Sequence, residues 1–120
     1  MLKKLTVAQR AAYDENGYVD KIDIFTEKEI EEIVVELAEA EAVFGHELDA
    51  AGRNNAHYVL PVLDRITHDP RILDAVEDII GPDILVVGTT LFIKEPETRG
   101  FVSWHQDARY IGLEPHNWVT

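Results

Sequence analysis

The stretch Trp104-His105-Gln106-Asp107 holds the residue types and spacing best suited to chemistry. On a strand, side chains at i and i+2 point the same way, so His105 and Asp107 would project from one face. An imidazole nitrogen beside a carboxylate oxygen is a ligand set for Fe(II), Mn(II) or Zn(II). With one more imidazole it becomes the facial triad of non-haem iron sites, which leaves positions open for a chelating co-substrate and dioxygen. The same tripeptide also reads as a strand histidine hydrogen-bonded to a nearby carboxylate. Arg109 shares the parity of His105 and Asp107; it either pairs with an acidic substrate or sits on a rim. Trp104 and Gln106 would face the other side, Trp104 as core packing or as a stacking surface. A zinc hydrolase fits poorly, because the chain has no His-Glu-x-x-His pair and no evident general base beside these ligands.

The elements that must position these groups belong to a small acidic chain. Its 120 residues make one domain, and 11 Lys+Arg against 23 Asp+Glu give a formal charge of −12. Such a surface repels nucleic acid and anionic membranes. No apolar run approaches the roughly 20 residues a spanning helix needs, and the N-terminus carries no apolar signal core. Cysteine is absent, which removes disulfides, thiolate metal sites and thiol nucleophiles and fits a reducing cytoplasm.

The first half reads helical. Thr6 caps a helix over Val7 to Glu15 that Asn16-Gly17 ends, and Tyr18 to Ile24 reads as a short extended segment. Thr26 and Glu29 form a capping box for a helix to about Phe44, with Ile30, Ile33, Val34, Leu37, Ala40 or Glu41, and Phe44 on one stripe and Gly45 as the stop. The opposite face, with Glu31, Glu32, Glu36 and Glu39, reads as a solvated surface. Residues 45–58 form a loop holding His46, Arg53 and His57, and Tyr58 to Thr67 is a short helix. Asp69-Pro70 starts another helix, with Ile72, Leu73, Val76, Ile79 and Ile80 on its stripe, and Gly81-Pro82 stops it. Ile84 to Lys94, rich in β-branched residues, reads as a buried strand, and Phe101 to Tyr110 as the next.

Gly81-Pro82-Asp83-Ile84-Leu85, then Leu91-Phe92-Ile93-Lys94-Glu95-Pro96, then Phe101 through Tyr110 resemble the phytanoyl-CoA dioxygenase family. So does the opening, Leu5-Thr6 through Asn16-Gly17-Tyr18-Val19, so that the resemblance covers nearly the whole chain. The resemblance implies an α+β fold: N-terminal helices packed on the first strands of a double-stranded β-helix, a jelly-roll barrel left incomplete here. It implies a cytoplasmic dioxygenase that hydroxylates a small organic substrate with Fe(II) and 2-oxoglutarate. His105 and Asp107 would be the first two iron ligands. Thr90 and His57 would contact 2-oxoglutarate, and Arg109 the substrate. An aspartate at Asp107, where halogenating relatives carry a small residue, favours hydroxylation. The family's third ligand, a distal histidine, and its 2-oxoglutarate-binding arginine have no counterpart after Asp107, where His116 is the sole histidine. The chain therefore reads as a single domain over residues 1–120, the N-terminal portion of such an enzyme. The alternative is a catalytically inactive fragment that acts by association. Exposed strand edges would make it a homo-oligomer.

Overall fold

Three of the helices begin where a side chain accepts from a free amide of the first turn. The structure, a computed structural model, describes residues 1–45, 53–92, 96–97 and 99–120. Helix α1 (Val7–Asn16) is capped by Thr6. The Gln9 amide donates to the Thr6 hydroxyl at 3.1 Å, and the Thr6 amide donates to the Gln9 side chain at 3.0 Å. Gly17 closes α1 at φ 78°, its N–H donating to Tyr13. Helix α2 (Glu27–Phe44) has the expected capping box, with the Thr26 amide donating to Glu29 Oε2 at 2.7 Å. A 3₁₀ turn (Ala56–Tyr58) leads into α3 (Pro61–Thr67). Asp69 caps α4 (Pro70–Ile80) by accepting from the Arg71 amide, with Pro70 in the first turn. A single turn of helix, α5 (Ala108–Ile111), completes the elements among the described residues.

Two polar ties hold the helices to one another. Arg71 donates to both Asp69 oxygens and to Glu29 Oε1 at 2.9 Å, and its guanidinium lies 4.8 Å from the centre of the Phe25 ring. It thus joins the start of α4 to the start of α2. At the other end of α4, the Asp78 carboxylate accepts from the amides of Lys3, Lys4 and Leu5 at 2.7–2.8 Å. The Lys4 ammonium reaches the Asp23 carbonyl at 2.7 Å, and Leu5 is buried. The segment before α1 is therefore clamped to α4.

The core is small. Ala56, Leu60 and Val62 are buried, and Ile33, Leu37 and Ala40 from α2 pack on them with Leu63, Ile66 and Leu91. On the α2 stripe, Val34 and Phe44 remain exposed at 57% and 40%. The stripe finds the 3₁₀ turn and α3 where a sheet was expected, and they cover only part of it.

The expected α+β architecture is corrected: among the described residues there is no strand. Ile84 to Phe92 runs irregularly, and its sole ladder contact is one antiparallel bridge, Asn54 to Thr90. Around that bridge the Asn55 amide donates to the Thr89 carbonyl at 2.7 Å and the Leu91 amide to the Arg53 carbonyl at 3.0 Å. Gly88 permits this approach, because a Cβ there would meet Asn55 Oδ1 at 2.9 Å. The span expected as a strand from Phe101 to Tyr110 is loop followed by α5. β-Branched residues favour extended backbone, but a strand exists only when a neighbour completes its hydrogen-bond ladder. With no strand edges among the described residues, self-association through them loses its basis. His46, Ile93, Lys94 and Glu95 lie outside the described residues.

Two stability outcomes follow. Leu60→Ala should cost about 2–4 kcal/mol in chemical denaturation, since Leu60 is only 3% exposed. Desolvation raises the Asp78 carboxyl, but the amides of Leu5, Lys3 and Lys4 and the Lys3 charge outweigh it and hold Asp78 below the usual aspartate value. The clamp is therefore at full strength above about pH 4 and weakens as pH falls through the lowered value. Asp78→Ala should lower the melting temperature at neutral pH and flatten its dependence on pH in the acid range.

Candidate functional site

The clamp sets two walls of a cleft of about 1010 Å³. One wall comes from the end of α1 and the segment after it, through Tyr13, Tyr18, Ile22 and Ile24. The α4 face supplies Ile72, Ala75, Val76 and Ile79. Ile72, Val76 and Ile79 belong to the expected α4 stripe, so part of that stripe forms the cleft lining. The polar side comes from residues 105–120, with His105, Gln106, Asp107, Arg109 and His116.

His105 and Asp107 converge on this cleft, though not by the strand parity expected of them. They sit on the loop before α5, which turns as the Arg109 amide donates to the Gln106 carbonyl at 3.2 Å. His105 Nε2 lies 3.2 Å from Asp107 Oδ1. Loss of the strand also changes the neighbours: Gln106 lines the same cleft, and Trp104 is fully exposed, neither core packing nor part of the cleft lining.

Both groups are held from behind. His105 Nδ1 is 2.7 Å from the Ser103 carbonyl, and a carbonyl only accepts, so Nδ1 carries the proton. That bond is the largest cause and, with the Asp107 charge, raises His105 above the ordinary imidazole value against the opposing effect of desolvation. On the other side, the Thr120 hydroxyl donates to Asp107 Oδ2 at 2.9 Å, and the Trp118 indole N–H donates to Thr120 at the same distance. Donors at cis positions on a divalent ion, each about 2.1 Å from it, are about 3 Å apart. With Nδ1–H committed to Ser103 and Oδ2 engaged by Thr120, Nε2 and Oδ1, 3.2 Å apart, are the two atoms that could hold a metal, which would displace the proton Nε2 shares with the carboxylate. Among the described residues no group of three or more His, Asp or Glu side chains is gathered closely enough to hold a metal. His116 shares the cleft, but its Nε2 lies 3.5 Å from Glu114 Oε1.

The local charge differs from that of the whole chain. Among the described lining residues Asp107 is the sole carboxylate and Arg109 the sole guanidinium, so the −12 of the chain is not concentrated here. Arg109 thus stands on the cleft wall. His57 and Thr90 do not. His57 is buried, its Nδ1 2.7 Å from the Thr89 hydroxyl and its ring 4.2 Å from that of Tyr58, and the Thr90 hydroxyl donates to Asn54 at 3.2 Å. The structure brings together His105, Asp107 and Arg109, and holds His57 and Thr90 in the contact between residues 53–58 and 89–91.

Sequence reasoning passed over Ser103, Trp118 and Thr120. Nothing in the residue pattern marks a threonine 13 positions beyond Asp107 as its partner. At His57 the expected outcome is structural: Thr89→Val leaves a buried ring nitrogen unpaired and should cost about 1–3 kcal/mol in thermal or chemical unfolding.

The phytanoyl-CoA dioxygenase family model matches residues 13–120. No curated protein and no solved structure matches the chain.

Proposed function

The chain belongs to the phytanoyl-CoA dioxygenase family, and on that premise we propose that it carries two protein ligands of a non-haem iron site that hydroxylates a small organic substrate. The family is generally dependent on Fe(II) and 2-oxoglutarate. The observation that supports the reading is the approach of His105 Nε2 to Asp107 Oδ1 at 3.2 Å on the wall of an apolar cleft. Bound Fe(II) supplies the oxidising chemistry: dioxygen and 2-oxoglutarate become succinate and CO₂, with one oxygen atom placed in a substrate C–H bond.

The chain's own residues bind and orient. His105 and Asp107 present one nitrogen and one oxygen donor, a set that suits Fe(II) and leaves coordination positions open. Arg109 offers a fixed positive charge to an acidic group on the substrate. Ile72, Val76 and Ile79 give the hydrocarbon part of that substrate a wall that excludes water. His57 and Thr90 stand away from the lining, so a part for them in holding 2-oxoglutarate has weaker support than the part of Arg109.

Anaerobic addition of Fe(II) and 2-oxoglutarate tests the reading through the visible charge-transfer band of the chelate. The expected result is a band that His105→Ala and Asp107→Ala each abolish, with divalent-metal affinity falling by more than about tenfold in both. A band of unchanged strength in both variants overturns the assignment of the ligands. Metal binding without succinate release on admission of air would favour the alternative, a module that retains the ligand pair and performs no oxidation. Arg109→Gln should leave metal affinity near wild type and weaken binding of an acidic ligand in the cleft.

A further inference from the structure

Asp107 has two oxygens, and what each one faces bears on how many coordination positions a metal beside it keeps. Oδ1 faces His105 Nε2 at 3.2 Å, while Oδ2 accepts from Thr120 at 2.9 Å. The direction of the second bond follows from chemistry alone. The Trp118 indole nitrogen can only donate, so at 2.9 Å it occupies a lone pair of the Thr120 hydroxyl. The hydroxyl proton is then turned toward Asp107, whose carboxylate can only accept. Indole N–H, hydroxyl and carboxylate form one directed chain, Trp118 to Thr120 to Asp107. A matching bond from His105 Nδ1–H to the Ser103 carbonyl fixes the other member of the pair.

We infer that Thr120, aimed by Trp118, is a positioning residue that restricts Asp107 to a single metal-facing oxygen. The inference rests on the metal reading above and adds to it the outer-shell residue that sets how Asp107 binds. A carboxylate free to turn can offer both oxygens to the ion and close a position that a second reactant needs. With Oδ2 engaged by a hydroxyl, Asp107 binds through Oδ1 alone. Such outer partners change metal affinity by about 10–100-fold in other sites. Asp107 is partly exposed, and its other described contact is with His105, so Thr120 is the constraint that separates the two oxygens.

The test uses Co(II), whose visible bands report coordination number, added to the full chain and to five variants. Thr120→Val removes the hydroxyl and keeps the shape. Thr120→Ser keeps the hydroxyl. Trp118→Phe removes the aiming N–H without touching Thr120. His105→Ala and Asp107→Ala control for the site itself. The expected result for Thr120→Val is a loss of about 10–100-fold in Co(II) affinity, with weaker bands that mark a higher coordination number. Thr120→Ser should return both to wild type, and Trp118→Phe should fall between. Wild-type affinity and spectrum in Thr120→Val, or no rescue by Thr120→Ser, overturns the inference while leaving the ligand pair intact. Co(II) binding that ignores both alanine controls overturns the metal reading itself, and the role of Thr120 with it.

Discussion

A single carboxylate on α4 holds the chain's two ends of interest in register. Asp78 gathers the amides of Lys3, Lys4 and Leu5, and Lys4 in turn reaches the Asp23 carbonyl. The segments on either side of α1 are thereby fixed against α4. One of these segments and the α4 stripe are the apolar walls of the cleft. A charged acceptor with three amide donors is a strong, directional tie, roughly twice as strong per bond as one between neutral groups. The core of Ala56, Leu60 and Val62 is too small to set that geometry by packing alone.

The polar side of the cleft works by the same economy of means. His105 and Asp107 stand on a loop, where backbone geometry alone does not aim a side chain. Each is aimed by a bond behind it, one to the Ser103 carbonyl and one from the Thr120 hydroxyl. Imidazole and carboxylate are thus held with Nε2 and Oδ1 3.2 Å apart. Among the described residues that line the cleft, one carboxylate, Asp107, stands with one guanidinium, Arg109, although the chain as a whole is strongly acidic.

The stretch between the cleft and the core shows what β-propensity does without a ladder. Leu85, Phe92, Phe101 and Val102 are each more than two-thirds exposed. The accessible surface is 9642 Å², where a compact monomer of 13.6 kDa exposes about 6,600 Å². The radius of gyration, 16.1 Å, likewise exceeds the roughly 14 Å of a compact domain of this length. Where Asn54 meets Thr90 the start of a ladder exists, with Gly88 making room for Asn55. Elsewhere these residues have the composition of strands and no pairing partner among the described residues.

The residues by themselves determined α1, α2 and α4. Thr6, Thr26 and Asp69 cap where expected, and Gly17, Gly45 and Gly81 follow the last turns, because caps and stops act within a few residues of chain. They also determined the ligand pair as a candidate and the family, which rests on local stretches of sequence. Tertiary structure alone decided whether Ile84 to Phe92 and Phe101 to Tyr110 would pair as strands, since a ladder depends on a distant neighbour that no local pattern reveals. It also decided that His105 and Asp107 would meet on a loop, that Trp104 would face solvent, and that Thr120 would stand behind Asp107. Each of those outcomes depends on contacts between parts of the chain that only folding brings together.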